Sequence, residues 1–286
     1  MCTGYYNYEQ GHRPAFPGEK NFKGPVIHPQ FWPEDLDYEN KKIIVIGSGA
    51  TAVTLVPAMA EKAAKVTMLQ RSPTYIVSMP AENALANWAR RNLPAKLAYG
   101  LTRWRNVLFS RLMFWYCRRF PERAKKLLLK GVRAELPSGF DIEKHLTPHY
   151  NVWDQRVCLA PDGDFFTALR AGKADIVTDH IESFTKRGVK VASGAEIEAD
   201  IIVSATGLDL QFFGGVDIQV DNKAVLAKDT MTYKGMMFSG VPNFALSSGY
   251  TNASWTLKCD LTSAYVCRLL NHMDRKGYTQ ARPELD

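Results

Sequence analysis

Lys41-Lys42-Ile43-Ile44-Val45-Ile46-Gly47-Ser48-Gly49-Ala50-Thr51-Ala52-Val53 decides the fold. The run of β-branched residues predicts a strand buried on both faces, and the glycines after it predict a tight turn into a helix. Gly47 supplies freedom in φ for the turn, Gly49 leaves room for a phosphate to approach the backbone, and Ala52 packs closely under the strand. Ser48, Ala50 and Thr51 place further N–H groups at the helix N-terminus, where unpaired donors and a partial positive charge suit a pyrophosphate. The candidate dinucleotide-binding residues are therefore Gly47, Ser48, Gly49, Ala50, Thr51 and Ala52. G-x-G-x-x-A is a weak pattern alone, and its place between strand and helix gives it weight.

Downstream, Lys65-Val66-Thr67-Met68-Leu69-Gln70-Arg71-Ser72-Pro73 reads as the second strand of the βαβ unit. Arg71 stands 24 residues after Gly47. An NAD-specific unit carries Asp or Glu at this strand end to bind the ribose 2′-hydroxyl, whereas this chain has Gln70-Arg71-Ser72. A carboxylate repels a 2′-phosphate and a guanidinium grips it in two places, so Arg71 and Ser72 are expected to select NADPH.

With 286 residues, 46% of them hydrophobic, the chain can bury a sizeable core in one large domain or two small ones. Cys2, Cys117, Cys158, Cys259 and Cys267 lie far apart without a C-x-x-C pair, which indicates neither a metal site nor a disulfide framework. Polar and aromatic residues follow Met1 where a signal peptide would be apolar, and no run reaches bilayer-spanning length. These features fit a reducing, cytoplasmic compartment. The net charge of +7 belongs to one segment: residues 88–133 hold thirteen Lys/Arg and a single acid, Glu122, and the rest is net acidic. Such localised basicity gives no reason to expect a nucleic-acid partner.

That basic segment lies in a stretch of helical pattern, about residues 80–148, that interrupts the nucleotide-binding unit. It mixes aromatics and aliphatics with arginines, so it could lie on a membrane surface or cover a substrate entrance. The plainer expectation is a helical insertion whose apolar side packs on the core while its cations are solvated. Further on, residues 150–164 read as a loop around Arg156. Four short strands, 174–177, 181–184, 188–191 and 200–203, then read as a meander ending at Ala205-Thr206-Gly207. Residues 241–254 suggest a strand, a loop and an N-capped helix to about Asp274, followed by a polar terminal dozen expected to fray.

Upstream of the decisive stretch, residues 1–40 are rich in Pro, Gly and aromatics and contain Phe22-x-Gly24-x-x-x-His28-x-x-x-Trp32-Pro33. This spacing, directly before a dinucleotide-binding strand, resembles the linker fingerprint of the type I Baeyer–Villiger monooxygenases and their flavin-containing monooxygenase relatives. Longer blocks, 28–38, 70–76 and 249–258, are similar to the mycobacterial ethionamide-activating group of that family. The resemblance implies a two-dinucleotide flavoprotein using NADPH, FAD and O₂ on a ketone, thioamide or amine. It places Arg156 as the permanent cation beside flavin and nicotinamide, with Gln155 where the family commonly has lysine. It makes Ala205, Thr206 and Gly207 the crossing between NADPH and flavin domains, and puts Thr251, Asn252 and Ser254 near the flavin.

The implied fold class is α/β: a Rossmann-like NADP-binding domain at 41–205 with a helical insertion, plus remnants of a second, FAD-binding Rossmann-like domain at 1–40 and 206–286. A first G-x-G-x-x-G strand for FAD is not found, and Cys2-Thr3-Gly4 resembles the end of that domain, so the chain is expected to begin inside the family's sequence and to hold an incomplete FAD site. Two other readings stay open at this point. One is another two-dinucleotide flavoprotein, whose redox cysteine pair would be missing. The other is a non-catalytic NADP-binding or membrane-associated module resting on residues 88–133.

Overall fold

The computed structural model describes residues 1–250 and 254–285. In chain order it runs β1 (Tyr6–Gly11), β2 (Val26–Ile27), β3 (Lys42–Ile46), α1 (Ala50–Ala60), β4 (Lys65–Gln70) and β5 (Tyr75–Met79). The helical insertion follows as α2 (Ala84–Asn92), α3 (Ala95–Arg119), α4 (Pro121–Glu135) and α5 (Ile142–Leu146). Then come β6 (Val157–Pro161), α6 (Asp164–Arg170), β7 (Ala174–Thr178), β8 (Ile181–Phe184), β9 (Gly188–Val191), β10 (Glu196–Glu198) and β11 (Ile201–Ser204). The rest comprises β12 (Leu208–Leu210), β13 (Gln219–Val220), β14 (Lys223–Ala224), β15 (Thr232–Tyr233), β16 (Met237–Phe238) and α7 (Trp255–Lys276). Two compact units divide the chain, residues 12–207 and residues 1–11 with 208–286.

In the larger unit, β2-β11-β3-β4-β7 form a parallel five-stranded sheet. Strand alternation sorts its side chains between two cores. Ile43, Val45, Val66, Met68, Ile201 and Val203 face α1 and α6, whereas Ile44, Ile46, Leu69 and Ile202 face the β8–β10 meander. Both faces are thus covered, which is why these strands read as unbroken apolar runs. Each such side chain contributes about 1.5–3 kcal/mol of burial. The result is a three-layer α/β/β arrangement with the carboxyl ends of the parallel strands at one edge.

Three expectations are corrected here. The strands at 174–177 and 200–203 belong to the central parallel sheet, and only β8, β9 and β10 make the antiparallel meander. The apolar run Ile201-Ile202-Val203 lacks alternation because it is buried on both sides. Residues 157–161, read as loop, form β6, paired in parallel with β5 across the whole insertion. That partner is too distant in sequence for local pattern to disclose.

Within the insertion, Asn83 and Asp141 cap α2 and α5 by accepting from the N–H groups of Ala86 and Lys144. Leu129 and Val132 of α4 and Ile142 and Leu146 of α5 join the main core. Helix α3 differs: of its 25 residues only Ala98 and Cys117 are buried. The expectation that the insertion packs its apolar side inward therefore holds for α4 and fails for α3.

In the smaller unit, β1 pairs antiparallel with β12, and Phe213, Phe238, Val241 and Leu246 form its core. Residues 241–250 contain no strand. The Ser254 hydroxyl meets Thr256 Oγ1 at 2.8 Å and caps no backbone amide of α7. The terminal residues expected to fray are tied to the 240–243 turn instead. Asn243 N–H donates to the Ala281 carbonyl, the Ala281 N–H donates to Asn243 Oδ1, both at 2.9 Å, and Gly240 N–H reaches Pro283 O.

Candidate functional site

Gly47, at the end of β3, has φ of 132°, and a Cβ there would stand 2.4 Å from the Ala205 carbonyl oxygen. Only glycine lets the β3 and β11 ends come this close, since Ile46 and Ser204 are register partners. The Gly47 N–H donates to Leu69 O at 2.9 Å, which fixes the turn against β4. Gly49 then begins α1 with no side-chain cap, and a Cβ built on it would meet nothing within 4 Å. Its φ of −79° is ordinary, so what glycine provides here is open space rather than backbone freedom. Ala52 is fully buried beneath the strand, and Ala50 and Thr51 are exposed on the first turn. Ser48 Oγ donates to Ser72 O at 3.2 Å and ties the glycine turn to the β4 exit.

These elements border a cleft of about 580 Å³ at the carboxyl edge of the sheet. It brings together Gly47, Ser48, Gly49, Arg71, Ser72, Ala205, Thr206 and Gly207 from segments far apart in sequence. Ala50, Thr51 and Ala52 are not part of its lining. Arg71 is exposed and, among the described residues, its guanidinium has neither hydrogen bond nor ion pair. An open glycine, an uncapped helix N-terminus and an uncompensated cation on one cleft fit the pyrophosphate and 2′-phosphate of a phosphorylated dinucleotide.

The crossing turn is held by the fingerprint residues. Phe22 is buried edge-on to Phe184, and a Cβ on Gly24 would lie 2.1 Å from Asp200 O. His28 Nε2 donates to the Gly207 carbonyl at 2.9 Å while its Nδ1 accepts from Gln30 N–H, which assigns the neutral Nε2–H tautomer. Thr206 Oγ1 donates to His12 O at 2.6 Å and meets Ser204 Oγ at 3.0 Å. Trp32 packs against the main core. The spacing Phe-Gly-His-Trp thus describes a short edge strand, β2, whose following turn anchors the Ala205–Gly207 segment.

Among the cleft residues that the sequence does not single out, three carry polar chemistry beside Arg71: Gln70, Asp179 and His180. Gln70, 2% exposed, donates through Nε2 to His145 O and Thr178 Oγ1, and its buried Oε1 has no partner. Asp179 follows β7, beside Arg71 on the neighbouring strand, and His180 adjoins it. The Ser193 hydroxyl, then the Ser193 and His180 backbone amides, hold the Asp179 carboxyl below its usual range. The signal for Asp179 is the rule that ligands bind beyond the carboxyl ends of parallel strands, which reaches this residue only because β7 lies in the parallel sheet and not in the meander.

Gln155 and Arg156 are not brought to this cleft. Both are exposed just before β6, outside its lining, and Arg156 is near enough to Cys158 to oppose the upward push of burial on that thiol. Thr251 and Asn252 lie outside the described residues, and Ser254 is the residue just before α7 in the smaller unit. Among the described residues, no group of His, Cys, Asp or Glu could hold a metal ion, and no helix is long and apolar enough to cross a membrane.

A model of the family described as flavin-binding monooxygenase-like matches residues 1–119. The FAD-containing monooxygenase EthA of Mycobacterium tuberculosis is 56% identical over 279 residues, 97% of this chain and 57% of that protein. Over nearly its whole length the chain is thus similar to flavin-binding monooxygenase-like proteins. Another relative, the probable FAD-binding monooxygenase AlmA of Acinetobacter baylyi, is 51% identical over 286 residues, covering 100% of this chain and 57% of its own length. The chain thus spans somewhat over half the length of these curated relatives. Among solved structures, OTEMO in complex with FAD and NADP superposes with a TM-score of 0.74 at 22% identity, over 98% of this chain and 61% of that one. An oxidized steroid monooxygenase bound to NADP gives 0.72 at 22% identity over 94% and 60%. At these identities the structural likeness establishes a shared α/β fold.

Proposed function

We propose that the cleft binds NADPH and that the chain is the nucleotide-binding part of a flavin-dependent monooxygenase of Baeyer–Villiger type. One observation carries the reading: the open Gly49 at the uncapped start of α1 and Arg71, which has no partner among the described residues, border the same cleft. In this reading the α1 N-terminus and the backbone at Ser48 and Gly49 hold the pyrophosphate. Arg71 and Ser72 take the 2′-phosphate, and Ala205, Thr206 and Gly207 allow close passage of the remainder. When bound, the nicotinamide supplies a hydride. The chain's own residues bind, orient and neutralise charge.

The names of the relatives and structural neighbours support FAD as the second cofactor and, through the word monooxygenase, O₂ as co-substrate. That the oxygen goes into a ketone, or onto the sulfur or nitrogen of a thioamide or amine, is our proposal from the Baeyer–Villiger resemblance. Arg156 is proposed as a permanent cation for the negative charge that such oxygen transfer develops, with neutral Gln155 beside it. No glycine turn leading into a helix like that after β3 occurs in the described part of the smaller unit, so no residue there is assigned to flavin phosphates. The dispersed, free cysteines support a reducing compartment. Calorimetric titration of the chain with NADP⁺ and NAD⁺ tests the cleft. NADP⁺ is expected to bind at least about tenfold more tightly, and equal affinity, or no binding of either, overturns the assignment.

A further inference from the structure

Helix α3 carries an apolar stripe that the described residues leave uncovered. Leu97, Leu101, Trp104, Leu108, Leu112 and Trp115 recur at steps of three and four and occupy about 80° of the helix circumference. All are exposed, Leu108 by 59%, Trp104 by 66% and Trp115 by 55%. The helix meets the rest of the unit through other positions, the buried Ala98 and Cys117, Tyr116, and Arg118, which pairs with Asp154. From Leu97 to Trp115 the stripe extends about 27 Å, well beyond the scatter of single exposed apolar residues normal on a soluble surface.

Cations border this stripe on both sides. Arg111 and Arg105 project about 60° to either side of its midline. Among the described residues Arg111 has no partner, and Arg105 reaches only the Asn106 amide oxygen, at 3.3 Å. Helix α3 contains no Asp or Glu, and between residues 88 and 133 the sole acid is Glu122. Pairing this face with a second copy would set arginines against arginines without a carboxylate to offset them. Arginines at mid-helix also prevent α3 from spanning a bilayer, in keeping with the lack of a spanning helix among the described residues.

A face of Leu and Trp flanked by arginine matches an anionic lipid surface: apolar side chains enter the acyl boundary, indoles lie at headgroup depth, and guanidiniums pair with phosphate. We propose that α3 lies in the plane of an anionic membrane through this stripe, making the larger unit a peripheral membrane module. The proposal is independent of what the cleft binds.

Vesicle flotation of the full chain tests it, using phosphatidylcholine with and without phosphatidylglycerol. The chain is expected to float with the anionic vesicles and to do so far less with the neutral ones. Leu101→Asp with Leu108→Asp, and separately Arg105→Glu with Arg111→Glu, should each lower partitioning at least about tenfold. Since all four side chains are exposed, circular dichroism and NADP⁺ affinity should stay as in the parent. Lys62→Glu, beyond α1, should leave partitioning unchanged. No flotation on either vesicle overturns the proposal. So does equal flotation on both, or an oligomer that Leu108→Asp dissociates without any vesicle binding, which would show a second copy covering the stripe.

Discussion

Replacing Arg71 with alanine separates recognition of the 2′-phosphate from recognition of the rest of the dinucleotide. The guanidinium lines the cleft at the β4 exit without any partner among the described residues, so its removal strands no carboxylate and should leave the fold unchanged. A charge-assisted contact of this kind contributes about 1.5–3 kcal/mol, equivalent to about 10–150-fold in Kd. Since Arg71 is exposed, the lower half of that range should apply near physiological ionic strength, where screening acts over about 8 Å. Calorimetry or fluorescence titration of parent and Arg71→Ala with NADP⁺ and NAD⁺ gives the numbers. NADP⁺ affinity should fall by at least about tenfold and NAD⁺ affinity by less than about threefold. The Arg71→Lys variant should lie between, because an ammonium keeps the charge and loses the two-pronged fit. Equal losses for both nucleotides would refute the assignment and point instead to Arg71 as a structural residue of the β4 exit.

Gly47→Ala and Gly49→Ala should behave as opposites: the first puts a Cβ 2.4 Å from Ala205 O at a φ of 132° and should lower thermal stability markedly, by about 2 kcal/mol or more. The second, at ordinary φ and in open space, should keep stability within about 1 kcal/mol while weakening NADP⁺ binding by filling the phosphate approach. Tyr75, buried with its hydroxyl donating to Tyr150 O at 2.7 Å, has its pKa pushed up to about 12 by burial. A raised folded-state pKa gives stability that is complete below the unfolded value, near 10, and lost as pH rises toward 12. Unfolding free energy should therefore fall by roughly 2–3 kcal/mol at most across that window, and Tyr75→Phe should flatten the slope in denaturant titrations at each pH.

Much of the nucleotide-binding half is legible in residues 41–73, because the strand, the glycine turn and the helix depend on local chemistry. β-Branched residues favour extended backbone, glycine permits Gly47's φ, and periodicity announces α1. Arg71 was legible for the same reason, since a fixed offset from the turn places it at a strand end. The fingerprint from Phe22 to Trp32 could be recognised as a pattern, yet its physical purpose could not. The bond from His28 to Gly207 joins residues 179 positions apart, and no local propensity encodes it.

What tertiary structure alone decided follows from partners distant along the chain. It put the strand expected at 174–177 into the parallel sheet instead of the meander, which placed Asp179 beside Arg71, because strand neighbours are chosen by long-range pairing. It made β6 from a stretch that reads as loop, and it tied the polar terminus to Asn243, whose N–H donates to Ala281 O and whose side-chain Oδ1 accepts from Ala281 N–H. In α3, the sequence specified a helix with an apolar stripe and flanking arginines. Which way that stripe faces depends on which small side chains, Ala98 and Cys117, fit against the rest of the unit. That choice turned the six large apolar residues outward.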